Sequence, residues 1–201
     1  MSRVRFTTAQ NVFEAFPDLR RLIPRPSNDS AALDYARSLL TSRRPLDAIV
    51  FLAHLLPRRE AVWWARQCVE ALLPESAKDA ALRAADAWVR SPEEETRRAV
   101  LDISNAADQA LATTWLALAA GRSGGSIAAP DQKPHSPQPS ACARAANAAV
   151  ALAISGGEPE TIAARIQACA AAGLRFAEGG DARPTIARSR ASRAVVEKPQ
   201  S

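Results

Sequence analysis

The stretch "LDAIVFLAHLL", residues 46–56, decides the fold, because it is apolar on nearly every side of a helix. With about 100° of rotation per residue, the only polar side chains, Asp47 and His54, fall within about 20° of each other. A surface helix keeps one apolar face, whereas a helix that is apolar all round is buried. The stretch therefore predicts a central helix with one narrow polar stripe.

The polar stripe has two interpretations. Asp47 and His54 are separated by about 10.5 Å along the helix axis, so they cannot bond each other directly. We expect each to be hydrogen-bonded to a neighbouring helix or a helix end, as buried polar groups must be. The alternative is an acid and a base lining an enzyme cleft, but no nucleophile accompanies them at a recognisable spacing.

The rest of the chain also favours helices, because the β-branched and aromatic runs of strands are missing. Prolines and glycines mark the predicted ends of these helices. Ser30 and Ser91 are predicted N-caps, and Ser91 is predicted to form a capping box with Glu94. The predicted helices span 8–16, 30–40, 46–56, 58–73, 76–90, 92–103, 106–120, 141–155 and 159–178. The fold is predicted to be all-α, an irregular helical bundle or a short α-solenoid of about eight helices. No fixed repeat period is found.

The net charge of +5 lies at the two ends of the chain. Residues 1–26 and 181–201 each carry a net +3, which leaves the middle close to neutral. Nucleic acid is therefore disfavoured as a partner, because a binding domain carries its basic patch on the folded face. Weak nucleic-acid binding through the basic termini stays an alternative. Residues 1–29 are expected to be partly ordered, 30–180 to form one helical domain, and 181–201 to be a disordered basic tail.

The stretch "GRSGGSIAAPDQKPHSPQPS", residues 121–140, interrupts the helices. The two Ala-rich helices that follow it are too poor in large side chains to form a domain of their own. The stretch is therefore expected to be a long surface loop within one domain rather than a linker. We expect 121–130 to lie along the helical body and 131–139 to be mobile.

Two adjacent tryptophans stand in "PRREAVWWARQCVEALL", residues 57–73. Trp63 falls on the polar face of this helix and Trp64 near its edge, so both cannot point into one core. An exposed tryptophan beside arginine is typical of an interface anchor, although the N-terminal segment or a neighbouring helix could instead cover Trp63. If the loop lies near Trp63, the two form the candidate partner-contact surface, which comprises Arg58, Arg59, Trp63, Trp64, Ser123, Gly124, Gly125 and Ile127.

No cofactor, metal or membrane span is predicted. The three cysteines are widely spaced and no zinc-binding pattern occurs, which favours a reducing compartment. No phosphate loop or dinucleotide fingerprint is present. The N-terminus lacks a secretory h-region and the longest apolar run is too short to cross a bilayer, so a cytoplasmic location is expected.

Three stretches, 43–69, 114–130 and the Pro-rich segment after them, resemble an uncharacterised family of bacterial proteins, a domain of unknown function. The resemblance covers roughly residues 30–180 and is most specific around 57–64 and at the Ser-Gly-Gly-Ser of 123–126. It departs from the family at Gly121-Arg122, where bulkier residues are usual. It implies no activity, but the family's association with type VI secretion loci and forkhead-associated proteins implies an accessory or adaptor role.

The sequence thus favours a non-enzymatic protein that acts through contact with a protein partner, as an adaptor or scaffold linked to a bacterial secretion system. The two alternatives are the enzyme cleft around Asp47 and His54 and the weak nucleic-acid binder. The enzyme alternative requires that the two side chains converge on a cleft. The nucleic-acid alternative requires oligonucleotide binding that weakens steeply with salt.

Overall fold

The computed structural model describes residues 2–129 and 131–186, and within these ranges it contains nine α-helices and no strand. The all-α helical bundle expected from the sequence is thereby confirmed. Three short 3-10 turns, Pro17–Arg21, Pro74–Lys78 and Pro159–Thr161, lie between the helices. The helices are α1 Ala9–Ala15, α2 Ala32–Leu40, α3 Leu46–Leu55, α4 Arg58–Leu72, α5 Ala80–Arg90, α6 Glu94–Ala106, α7 Ala112–Gly121, α8 Ala141–Ser155 and α9 Ile162–Ala177.

Two helices form the centre of the bundle. Helix α3 is surrounded by α2, α4, α8 and α9, and α7 by α4, α5, α6 and α8. The large side chains of α3, such as Phe51 and Leu52, are fully buried, as its apolar sequence predicts. Small residues let the neighbours approach closely, since a Cβ on Gly121 would lie 2.9 Å from the Cα of Leu101 in α6. The core therefore consists of closely approaching helices around a few large side chains.

The N-terminal segment belongs to the same core. Thr8 caps α1 in a capping box with Asn11, and the segment buries Phe13, whose ring lies 6.2 Å from those of Tyr35 and Phe51. Residues 2–3 lie at the end of α9, where the amide of Arg3 donates to the Ala177 carbonyl at 2.7 Å, and the amide of Arg5 donates to the Leu55 carbonyl of α3 at 3.3 Å. This arm brings residues from the start of the chain beside α9.

The start of the chain's basic tail also packs on the bundle. Ala182 is buried and Ile186 packs against the core, while Arg175 donates to the carbonyl of Arg183. For residues 181–186 the expectation of a disordered tail is therefore wrong. The remaining part of that tail, 187–201, lies outside the described residues.

Two of the expected helix caps are wrong. Ala31, not Ser30, is the N-cap of α2, and it makes no side-chain cap bond. Helix α6 begins at Glu94 after Glu93, and Ser91 instead bonds the Glu93 carboxylate. The capping box fails because the Glu94 carboxylate is engaged by arginines of its own helix.

Two further helix starts are later than expected. Residues 74–78 form a 3-10 turn, and α5 starts at Ala80, where Asp79 accepts from the amides of Ala81 and Leu82. Helix α7 starts at Ala112 rather than Ala106, because α6 continues to Ala106 and a turn around Asp108 follows.

Candidate functional site

Asp47 and His54 are both buried and lie in the first and last turns of α3. Asp47 pairs with Arg44 at 3.2 Å; burial raises the pKa of Asp47, and the Arg44 charge partly offsets this. The Nδ1 of His54 lies 2.8 Å from the Val50 carbonyl, and burial lowers the pKa of His54 to about 4. The expectation was a partner on a neighbouring helix or at a helix end: Asp47 pairs with Arg44, just before the start of α3, and the partner of His54 lies within α3 itself. The two side chains do not converge on a cleft.

The first half of the 121–140 loop is held by three arginines, Arg58, Arg97 and Arg98, which we call the arginine clamp. Arg97 is only 4% exposed and donates to the carbonyls of Gly121 at 2.6 Å and Ser126 at 2.9 Å. Arg58 donates to the Ser123 carbonyl and Arg98 to that of Ala128, each at 2.6 Å.

The hydrogen-bond acceptors around Arg97 explain why its charged side chain can be buried. Both oxygens of the Glu94 carboxylate accept from Arg97, at 2.6 and 2.7 Å, and these bonds lower the pKa of Glu94. A buried charge is tolerated only when it is paired and hydrogen-bonded, and here one guanidinium has carboxylate and carbonyl acceptors on several sides. The segment 121–129 therefore lies along the helical body.

The Ser-Gly-Gly-Ser segment fits closely over this clamp. Gly125 has φ of +60°, a backbone conformation that side chains disfavour, and a Cβ there would lie 2.8 Å from Arg97 Nη2. Ser126 Oγ accepts from the amides of Ala128 and His135, and the amide of Ile127 donates to the His135 carbonyl. Thus His135 is tied back to the loop, inside the half that was expected to be mobile.

The two tryptophans of α4 have different environments. Trp64 is fully buried, and its indole N–H donates to the Cys169 carbonyl of α9 at 3.0 Å. Its place in the candidate contact surface is therefore wrong, because α4 packs against α9 on that side. Trp63 is partly exposed, and the guanidinium of Arg66 lies 5.3 Å from its ring centroid.

Trp63 lines a groove of about 270 Å³ between the N-terminal arm, α4, the end of α5 and the end of α9. We call it the Trp63 groove. Its lining residues are Arg3, Arg59, Glu60, Trp63, Val89, Arg90 and Phe176. It combines an apolar surface with three guanidinium groups and one carboxylate.

The arginines of the groove are fixed by hydrogen bonds. Arg59 Nε donates to the Val89 carbonyl at 2.7 Å, and Arg90 Nε donates to the Asp86 carboxylate at 2.9 Å. Arg3 Nη1 donates to the Phe176 carbonyl at 2.9 Å while its guanidinium lies 4.4 Å from the Phe176 ring centroid. Arg3 and Arg59 are thus anchored on backbone carbonyls, whereas Arg90, with 69% of its side chain exposed, is held by one surface ion pair.

The structure brings together only some of the sequence-predicted contact residues. Arg59 and Trp63 line the groove, whereas Ser123, Gly124, Gly125 and Ile127 do not. Arg58 is bonded to the loop at Ser123, so it connects α4 to the clamp rather than to the groove. Sequence reasoning missed Arg3, Val89, Arg90 and Phe176, because nothing in the local patterns indicates which distant segments meet α4.

The described residues contain no group of three or more His, Cys, Asp or Glu side chains suited to a metal ion. Cys68, Cys142 and Cys169 are buried and free, and burial raises the pKa of the Cys68 and Cys142 thiols. Among the described helices, none has the length and apolarity that a bilayer crossing requires.

Comparison with known proteins identifies a family but no activity. Residues 35–177, more than half of the chain, match a family described as a family of unknown function, DUF6931. No curated protein and no solved structure matches the chain. The matched range contains every lining residue of the Trp63 groove except Arg3. The resemblance to an uncharacterised family is confirmed at this level, and the chain belongs to the DUF6931 family of unknown function.

Proposed function

We propose that this protein is a non-enzymatic adaptor or scaffold that binds a protein partner through the Trp63 groove. One observation carries the proposal: a partly exposed tryptophan stands among fixed arginines in a concave site. Tryptophan and arginine are enriched among the few residues that supply most of the binding energy in protein interfaces. The groove offers both.

The size of the groove is compatible with a protein partner. Sites for small ligands and cofactors typically enclose about 300–1,000 Å³, and the groove, at about 270 Å³, lies near the lower end of this range. A cavity of this size suits one anchoring side chain of a larger partner. The proposal includes no cofactor and no catalytic residue.

The biological setting is proposed from the resemblance alone. Association of similar proteins with type VI secretion loci and forkhead-associated proteins supports an accessory factor that works in the bacterial cytoplasm. The neighbouring genes would test this part directly, because an accessory factor of a secretion system is expected to be encoded beside its components.

The two alternatives have less support. A cleft enzyme needs Asp47 and His54 to converge where substrate can reach them, whereas both are buried at opposite ends of α3. Nucleic-acid binding through the basic termini predicts binding that is steeply salt-dependent and lost when residues 181–201 are deleted. Measuring oligonucleotide binding of the full chain and of that truncation distinguishes this alternative from the proposed function.

The test of the proposed function is affinity purification of the tagged full chain from cells that naturally produce it. We expect a partner to be retained by the wild type and lost by Trp63→Ala. Trp115→Ala is the matched control, because Trp115 is also partly exposed but lies on α7 and does not line the groove. Recovery of the same proteins with both variants, or of none with the wild type, would count against the proposal.

A further inference from the structure

The Trp63 groove has an excess of positive charge. Arg3, Arg59 and Arg90 line it with one carboxylate, Glu60. A second carboxylate, that of Asp86 beside the groove, pairs with Arg90. Arg59 and Arg90 use their Nε atoms for the bonds to Val89 and Asp86. Within the described part of the chain, no further hydrogen bond engages their Nη groups. Guanidinium groups with unused donors are suited to carboxylates, which they bind by paired, charge-assisted hydrogen bonds.

The apolar part of the groove lies between these charges. Trp63, Val89 and Phe176 provide it, and the Phe176 ring already holds one guanidinium, that of Arg3. An aromatic or aliphatic side chain of a partner would be desolvated here, which strengthens the electrostatic contacts around it. The site thus favours a ligand that carries apolar and anionic groups side by side.

The surroundings argue against nucleic acid as this ligand. A single-strand site needs a continuous positive track along the backbone and stacking residues in series. Beside the groove, the charge of Arg66 is neutralised by two acids, because Arg66 pairs with Glu70 at 3.0 Å and with Asp86 at 2.9 Å. The positive charge is therefore confined to the groove, which fits a short segment rather than a polyanion.

The chain's own tail is disfavoured as the occupant by its net charge. Residues 181–201 carry five basic against two acidic residues, a net +3, which is unfavourable beside the arginines of the groove. An acidic segment of a second protein suits the groove better.

We propose that the Trp63 groove recognises an acidic peptide segment of the partner protein, in which an aromatic or aliphatic residue is flanked by Asp or Glu. The apolar side chain packs on Trp63 and Phe176, while the flanking carboxylates accept from Arg59 and Arg90. This inference rests on the proposed function, because it names the chemistry of the partner that the groove binds.

The test places a photo-crosslinking residue, p-benzoylphenylalanine, at Gln67 of the full chain in cells that naturally produce it. Gln67 is partly exposed and lies one turn from Trp63, but it does not line the groove, so the site stays intact. The cross-linked peptide is identified by mass spectrometry. The affinity of the purified partner is then measured at about 50 and 300 mM salt.

The matched variants are Arg90→Glu and Arg83→Glu, which make the same charge change on α5, while only Arg90 lines the groove. We expect an acidic cross-linked peptide, a Kd raised at least about tenfold by Arg90→Glu and by added salt, and a change below about twofold for Arg83→Glu. Arg90→Gln should give an intermediate Kd. Circular dichroism confirms that each variant is folded.

The outcomes separate the two proposals. A partner that depends on Trp63 but is insensitive to Arg90→Glu and to salt overturns the acidic segment and leaves the adaptor function standing. Absence of any partner that depends on Trp63 rejects both. If nuclease treatment removes the cross-linked species, the ligand is a nucleic acid, and the proposed acidic peptide is wrong. If the cross-link maps to Glu93–Glu95 of a second copy of this chain, the proposal that the acidic segment belongs to a different protein is wrong.

Discussion

Removing the guanidinium of Arg97 should loosen the loop and destabilise the whole bundle. In Arg97→Met the carbonyls of Gly121 and Ser126 lose their donors, which lie at 2.6 and 2.9 Å. A buried acceptor left without a partner costs about 1–3 kcal/mol. The Glu94 pair adds little, because that carboxylate is 60% exposed and returns to water. We therefore expect a loss of about 2–4 kcal/mol in the free energy of unfolding.

Urea and thermal unfolding of the full chain measure the loss of stability, and amide hydrogen exchange measures the opening of residues 121–129. For a chain of this size, about 2–4 °C of Tm is lost per kcal/mol, so Tm should fall by about 4–16 °C. Exchange at Ile127, whose amide donates to the His135 carbonyl, should speed up. Arg98→Met is the control: Arg98 is 29% exposed and donates to one loop carbonyl, so a loss of about 0.5–1.5 kcal/mol is expected.

The special role of Arg97 in holding the loop is refuted if Arg97→Met lowers the free energy of unfolding no more than Arg98→Met and exchange at Ile127 is unchanged. If both variants lose the same free energy of unfolding and both show faster amide exchange at Ile127, the arginines hold the loop as a group. In that case the burial of Arg97 would carry no special weight.

Three further outcomes follow from contacts described above. Gly125→Ala should cost about 1–2 kcal/mol through its positive φ alone, whereas Gly124→Ala, whose Cβ would meet nothing closer than Arg58 Nη1 at 3.8 Å, should be tolerated in the same urea titration. Gly173→Ala should cost about 0–2 kcal/mol net, because overpacking of about 1–3 kcal/mol, with its Cβ 2.9 Å from Leu52 Cδ1 and 3.0 Å from the Trp64 indole, is offset by about 1 kcal/mol of helix propensity; a variant about 1 kcal/mol more stable than wild type would show that α9 shifts freely. His54, with its pKa lowered to about 4, should contribute stability that is complete above about pH 6.5 and lost as pH falls towards about 4, because the unfolded state then binds the proton more readily; His54→Gln should lack this part of the pH dependence of Tm.

The central packing could be predicted from the sequence because it depends on local pattern. A helix such as α3, apolar on all sides, has no stable place except the interior, and the structure puts it there. The capping box at Ser91 and Glu94 was equally well formed as a local pattern. It failed because Arg97, one turn on, competes for the same carboxylate while also reaching carbonyls of a distant loop.

The groove could be predicted only in part. Trp63 and Arg59 were found because one helical wheel places an aromatic residue on a polar face. Their neighbours Arg3 and Phe176 were not found, because both are far from α4 in the sequence and meet it only through the arm and α9. Such a meeting depends on packing between segments, and composition or periodicity within one segment cannot indicate it.

The dependence of the groove on Arg3 and Phe176 has a consequence for biosynthesis. The two residues are joined by a hydrogen bond and lie 173 positions apart, so the ribosome must release the segment up to Phe176 before they can meet. A partner that recognises the assembled groove would not bind nascent chains that end before α9. Binding at this site would therefore depend on prior synthesis and folding of all the segments that build the groove.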